Sequence, residues 1–301
     1  MSDIVGRFAP SPTGRMHLGN VFAALLSWLS ARSRGGQWLL RIEDLDPGRS
    51  RQAYADQLMD DLEWLGLSWD GAPVYQSQRS DLYNQYFQEL QRQGLTYPCY
   101  CTRADLLATQ APHESDGRVV YPGTCRQRPP QDGPAAVRLM VPDETVSFTD
   151  GHYGSQSVNL AEQVGDFIIR RRDGAWAYQL AVVVDDALMG VTEVVRGRDL
   201  LLSSPQQLYI ARLLGLPSPQ FVHLPLLCNT AGQRLSKRDR SLDMEALRSR
   251  YTAADITGML AQFMGLTSGL EPLTPDELLP LFSWTKIPTI DMMIDPLSIN
   301  H

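Results

Sequence analysis

The stretch Arg7-Phe-Ala-Pro-Ser-Pro-Thr-Gly-Arg-Met-His-Leu-Gly-Asn20 decides how the rest of this sequence is read. Residues 3–10 have the composition of a short strand, which runs into a loop punctuated by Pro10, Pro12 and Gly14. Beyond it, Leu18, Val21, Phe22, Leu25, Leu26 and Leu29 recur at helical spacing and predict a helix over 18–34, stopped by Gly35-Gly36. His17 and Gly19 therefore stand where a helix begins. Such a start offers unpaired N–H groups and the positive end of the dipole, both suited to a triphosphate. Gly19 lets a nucleotide approach the backbone closely, and His17 can donate to phosphate oxygens as charge builds at the α-phosphorus. A lone His-x-Gly carries almost no information; inside this string it becomes specific.

Working outward, 38–42 reads as a compact strand followed by the acidic turn Glu43-Asp44-Leu45-Asp46-Pro47. Residues 51–65 and 81–93 read as helices stopped by Gly66 and Gly94. Strand, loop, helix, strand, helix is the pattern of an α/β fold with a parallel sheet. Later, 164–169 and 176–178 read as strands about a turn at Asp173-Gly174. The run 182–184 leads into Asp185-Asp186, and 191–195 is again β-branched and buried in style. A helix is expected over 204–214, a short strand over 223–227, and proline-broken helices beyond residue 241. Cys228 reads as core.

Arg234-Leu-Ser-Lys-Arg238 follows a loop at Gly232. Lys237, beside Ser236, is a compact cation on a flexible stem that can follow a departing pyrophosphate. Alone, the segment reads as a basic solvated loop.

From about 95 to 160 the character changes: prolines and glycines are frequent, and Cys99, Cys101 and Cys125 crowd together. Four cysteines in 301 residues are too few for a disulfide framework. Three thiolates and one further ligand instead suggest a closed, structural zinc site holding a small insertion together. On chemistry alone His113 is the natural fourth ligand, with Tyr121 the other candidate.

The composition, 43% hydrophobic and 20% charged, is that of a globular protein, and a net charge of −7 argues against nonspecific coating of nucleic acid. Arg126, Arg128, Arg170, Arg171 and Arg172 could form a local basic groove or simply be solvated charges. No apolar run approaches the ~20 residues that span a bilayer, and the first residues lack the pattern of a signal peptide, so a cytoplasmic location without membrane association is expected.

The strings RFAPSPTGRMHLGN, RIEDLDPGRS, YQLAVVVDDALMGVTEVVRGRDLL and RLSKRDRS resemble the glutamyl branch of the class I aminoacyl-tRNA synthetases across roughly residues 5–240. Asn20 departs from the family's first signature by replacing its last His, and Arg234 and Arg238 depart from the second. The resemblance implies a Rossmann-like parallel sheet, with 1–94 and 161–240 as its halves, 95–160 as an inserted zinc-containing subdomain, and 241–301 as a short helical region. It also implies ATP contacts from His17, Gly19, Asn20, Ser236 and Lys237, with His17 and Lys237 catalytic and Mg2+ accompanying ATP. L-Glutamate would be held by Arg7, Ala9, Ser11, Glu43, Tyr178 and Arg196. Arg196 would grip the γ-carboxylate, since a guanidinium fork reads a carboxylate bidentately. The Tyr-x3-Cys spacing resembles a shortened subgroup in which Tyr121 joins Cys99, Cys101 and Cys125 on the metal, leaving His113 as the alternative. Only about 60 residues follow the second signature. This implies a short, monomeric member whose acceptor is the queuosine base in the anticodon of tRNA(Asp), with a conventional glutamyl-tRNA synthetase fragment or a silent RNA-binding paralogue as alternatives.

Overall fold

A computed structural model describes residues 4–102, 105, 120–129, 131–235 and 242–294. Strand β1 (Val5–Phe8) pairs in parallel with β2 (Gln37–Ile42), Arg7 opposite Leu39, and β2 pairs in parallel with β3 (Val74–Tyr75). Helix α1 (Leu18–Arg32) connects β1 to β2, its apolar residues buried as the spacing predicted. The turn out of α1 needs Gly36: a Cβ there would lie 2.5 Å from the carbonyl oxygen of Ile4. Helices α2 (Gln52–Trp64) and α3 (Ser80–Arg92) match the two expected after the acidic turn.

The insertion begins with β4 (Thr96–Cys99), which joins β5 (Ala136–Leu139) and β8 (Phe167–Arg170) in an antiparallel sheet. Between the last two lies the antiparallel hairpin of β6 (Thr145–Asp150) and β7 (Gly154–Asn159).

The parallel sheet then resumes. Helix α4 (Tyr178–Leu188) leads to β9 (Glu193–Gly197), and α5 (Ser203–Leu214) leads to β10 (Gln220–Leu224), which pairs in parallel with β9. Strand β9 lies beside β1, where Thr192 N donates to the Val5 carbonyl at 2.9 Å and Val5 N to the Thr192 hydroxyl at 2.9 Å. The chain thus builds outward from β1 in one direction through β2 and in the other through β9 and β10. In open α/β sheets a ligand crevice forms at such a switch, outside the carboxyl ends of the strands. The hairpin turn presses on β10: Gly151 N donates to the Phe221 carbonyl at 2.8 Å, and a Cβ on Gly151 would lie 2.7 Å from Val222.

One local expectation is corrected. Residues 176–178 do not form a strand, for Trp176 makes only an isolated bridge to Arg170 and Tyr178 opens α4. The β-branched run 182–184 lies inside that helix. Everything from Leu180 to Asp186 is buried, so no polar face reveals the helical period, and packing overrides the weak helix propensity of valine.

The tail is helical over Met244–Arg248, Ala253–Phe263 and Pro275–Leu278, and its apolar residues join the core around α1. Thr252 and Thr274 form capping boxes with Asp255 and Glu277. Cys228 is buried in the short strand Leu227–Cys228, as its surroundings suggested. Among the described residues no helix is long and apolar enough to cross a membrane.

Candidate active site and metal centre

His17 caps α1. Its Nδ1 accepts from Gly19 N at 3.1 Å, while Asn20 Oδ1 accepts from His17 N at 3.1 Å. Because Nδ1 is an acceptor, the neutral ring carries its proton on Nε2. Asn20, which replaces a histidine in the family signature, thus closes the capping box and ties down the helix start. A Cβ at Gly19 would sit 3.0 Å from the His17 ring, so glycine lets the histidine fold over the helix end. His17, Gly19 and Asn20 line a cleft whose opposite wall is Gly197, Asp199, Pro225, Arg234 and Leu235. Arg234 and Asp199 form an ion pair within that wall. Ser236, Lys237 and Arg238 lie outside the described residues.

The amino-acid candidates gather at the carboxyl ends of the parallel strands. Arg7 at the end of β1 is buried and reaches the Val195 carbonyl at 3.3 Å, with its Nε 3.5 Å from Asp186. Ala9 and Ser11 flank Pro10, whose carbonyl accepts from Glu43 N at 2.9 Å, so the first loop and the acidic turn are joined. The Glu43 carboxylate meets Arg41 at 3.2 Å. Burial raises its pKa, against the pull of Arg41 and Arg7.

Arg41 is the residue sequence reading missed. Wholly buried on β2, it donates to Asp186 at 2.6 Å and to Glu43, and lies 3.8 Å from Asp185. Asp185 in turn accepts from Gln76 at 2.8 Å, Arg79 at 2.6 Å and Tyr83 at 2.8 Å. Burial alone would raise the pKa of Asp186, but Arg41 and Arg7 outweigh it and hold the carboxyl below the usual range. The adjacent acids Asp185-Asp186 were the available signal, hidden because their run was not legible as a helix.

Arg196, also buried, meets a different set of partners. Its guanidinium donates to Gln207 Oε1 and Ser204 Oγ at 2.8 Å each, to His223 Nε2 at 3.1 Å, to the Tyr178 hydroxyl at 3.3 Å and to the Leu200 carbonyl at 3.5 Å. Among the described residues no carboxylate forms an ion pair with it, and burial together with Arg7 lowers its pKa. An arginine surrounded only by neutral acceptors keeps a charge that no acid offsets. Arg7, Arg41, Arg79 and Arg196 face Glu43, Asp185 and Asp186, an excess of one positive charge. A ligand with two carboxylates and one ammonium would neutralise it.

The thiols of Cys99, Cys101 and Cys125 cluster at the foot of β4. Tyr121 Oη joins them, 3.5 Å from Cys99 Sγ and 3.6 Å from Cys101 Sγ, and Cys101 lies 3.5 Å from Cys125. A tetrahedral zinc with bonds of about 2.3 Å to sulfur and about 2.0 Å to oxygen has S···S edges of about 3.8 Å and S···O edges of about 3.5 Å. The two Tyr121 distances match such S···O edges, the Cys101–Cys125 distance is somewhat shorter than an S···S edge, and all three thiols lie within 4.8 Å of one another. Despite burial, the hydrogen bond from Tyr121 holds the Cys125 thiol down at about 7, which favours the ligating thiolate. His113 lies outside the described residues.

The basic run has structural partners. Arg126 donates to Asp166 at 2.6 Å, Arg171 pairs with Asp46 at 3.2 Å and with Asp173 at 2.6 Å, and Arg172 donates to the Tyr100 carbonyl at 2.6 Å. Arg170 stacks over Trp176 at 5.0 Å. Arg126 and Arg172 thereby tie the insertion to the segment that follows it, and Arg171 ties that segment to the acidic turn.

Comparison with known proteins agrees with this architecture. Residues 3–282 match the family described as tRNA synthetases class I (E and Q), catalytic domain. A Symbiobacterium thermophilum protein named glutamyl-Q tRNA(Asp) synthetase is 46% identical over 305 residues, which cover 95% of this chain and 94% of that one. A protein of the same name from Thiobacillus denitrificans is 51% identical over 238 residues, 79% of this chain and 78% of its own. Among solved structures, a glutamate tRNA ligase from Elizabethkingia meningosepticum in complex with its amino acid superposes with a TM-score of 0.83 at 27% identity, covering 99% of this chain and 68% of that one.

Proposed function

The chain belongs to the glutamyl and glutaminyl family of class I tRNA synthetases, and from that premise we propose that it activates L-glutamate with ATP and transfers the glutamyl group to the queuosine base in the anticodon of tRNA(Asp). The observation that carries the glutamate half is Arg196, a buried cation whose partners are all neutral. The acceptor rests on relatives that match this chain nearly end to end and bear the name glutamyl-Q tRNA(Asp) synthetase.

In this reading Arg196 and the Tyr178 hydroxyl take the γ-carboxylate, Glu43 takes the ammonium, and Arg7, with Ala9 and Ser11, orients the α-carboxylate. An α-carboxylate oxygen attacks the α-phosphorus of ATP. The bond to the β-phosphate oxygen breaks, giving glutamyl-adenylate and pyrophosphate. His17 Nε2–H and the positive end of the α1 dipole stabilise the charge developing on the phosphate oxygens. Lys237 and Ser236 follow the pyrophosphate, and Mg2+ enters with ATP. A hydroxyl of the queuosine ring then attacks the acyl carbon and AMP leaves. Residues 95–160 act as the insertion between the halves 1–94 and 161–240, followed by the helical region 241–301. Cys99, Cys101, Tyr121 and Cys125 hold one structural zinc in the insertion.

Pyrophosphate exchange without tRNA should depend on glutamate and fail with glutamine, and labelled glutamate should enter tRNA only when queuosine is present. Label that appears regardless of queuosine refutes the acceptor. Metal analysis of the purified protein should find one zinc per chain, lost in Cys125→Ser; zinc retained by that variant refutes the ligand set.

A further inference from the structure

Arg196 is held in place by a chain of groups that no motif marks. A guanidinium has five N–H bonds and accepts nothing. Its Nε–H points at His223 Nε2, 3.1 Å away, so that nitrogen bears no proton. The proton of the neutral imidazole must then lie on Nδ1, which faces Asp150 Oδ2 at 2.6 Å. Asp150, the last residue of β6, is itself fixed by the backbone N–H groups of His152 at 3.0 Å, Tyr153 at 2.9 Å and His223 at 3.2 Å. His223 and Asp150 are both buried, so no water can substitute for either partner.

The order of the groups matters. The other tautomer would set two N–H bonds against each other at 3.1 Å and turn a bare Nδ1 towards the Asp150 carboxylate at 2.6 Å, a costly state for buried groups even though Ser204 Oγ lies 3.4 Å from Nε2. A carboxylate in place of His223 would hold Arg196 equally well but would neutralise it, leaving little attraction for a substrate anion. The imidazole supplies an acceptor without a charge, while the acid that selects its tautomer is kept one ring further away. The ionisable groups acting on His223 are Asp150 from the hairpin, Arg196 from β9 and Asp199 beyond that strand's end.

We propose that Asp150 and His223 are positioning residues for glutamate binding: Asp150 selects the His223 tautomer, and His223 orients Arg196 without cancelling its charge. The inference rests on the assignment of Arg196 to the γ-carboxylate. It places part of the amino-acid pocket's support in the inserted hairpin, well outside the two signatures.

Two measurements test it. In the full-length protein with 15N-labelled histidine, His223, identified among five histidines by its loss in His223→Gln, should show a protonated Nδ1 and a bare Nε2 at neutral pH. In pyrophosphate exchange, His223→Phe should raise the glutamate KM about ten- to a hundredfold, with kcat and the ATP KM altered less than about threefold. His223→Gln, whose amide oxygen can accept from Nε–H, should recover most of that loss, and Asp150→Asn should raise the glutamate KM while mixing the tautomers. A protonated Nε2 in the wild type overturns the proposal, as does a His223→Phe loss that falls equally on ATP. Absence of glutamate-dependent exchange in the wild type would overturn the functional reading instead, and the spectrum would still decide the tautomer.

Discussion

Arg41 and Arg196 are both buried arginines near the carboxyl ends of parallel strands, yet they are held in opposite ways. Arg41 is neutralised within the protein by Asp186 and Glu43, with Asp185 close by. Arg196 is surrounded by an amide, two hydroxyls, a carbonyl and an imidazole. Burying a charge is costly in either case. With Arg41 the acids repay the cost inside the fold, so it serves architecture. With Arg196 no acid offsets the charge, and in the proposed function that residual field draws the substrate carboxylate.

The contrast can be broken first at Arg41. Arg41→Met leaves Asp186 buried without its closest cation, and Glu43 without its ion pair, and should cost about 3–5 kcal/mol in urea unfolding. A loss below ~1 kcal/mol would mean the acids relax elsewhere. Next, Arg196→Leu should lower kcat/KM for glutamate in pyrophosphate exchange at least about a hundredfold, while unfolding stability shifts by less than about 1.5 kcal/mol. Equal damage to stability would erase the distinction. A smaller effect is expected of Asp186→Asn. Its amide oxygen still accepts from Arg41 but the charge is gone, and the cost should be about 1–3 kcal/mol by the same unfolding assay.

The smallest effect concerns pH. Burial and Arg196 depress the pKa of His223, outweighing Asp150, so its unfolded value is the higher. A histidine with a depressed folded pKa contributes stability above its unfolded pKa, about 6.5, and loses that contribution as pH falls towards the folded value. Between about pH 7.5 and about pH 5.5 the wild type should lose up to ~1 kcal/mol relative to His223→Gln, read from paired thermal melts. Parallel pH profiles would mean the ring does not stay neutral.

The first half of the fold was legible because α1, α2 and α3 each carry an apolar period and a glycine stop, and because the proline-rich loop marks the end of β1. Helix α4 was not. Buried all round, it shows valines where a surface helix would show alternation. The residues proposed to touch substrate lie in the quoted strings, and so do Arg41 and Asp185, but the roles of those two, like those of Asp150 and His223 outside the strings, depend on contacts across 27 to 145 positions of chain. A pattern read along the sequence has no access to such pairings. Asn20 is an intermediate case: its departure from the family signature was visible, but its role as a cap partner needed the geometry.

The seam between the hairpin turn and β10 bears on how this insertion can change over time. Gly151 leaves no room for a side chain against Val222, and its neighbours Asp150 and His223 are bonded directly. The hairpin is therefore not an interchangeable cassette. A chimera that imports a foreign hairpin must bring the facing segment of β10 with it, so recombination within the family should find its tolerated crossovers on either side of this pair of segments rather than between them.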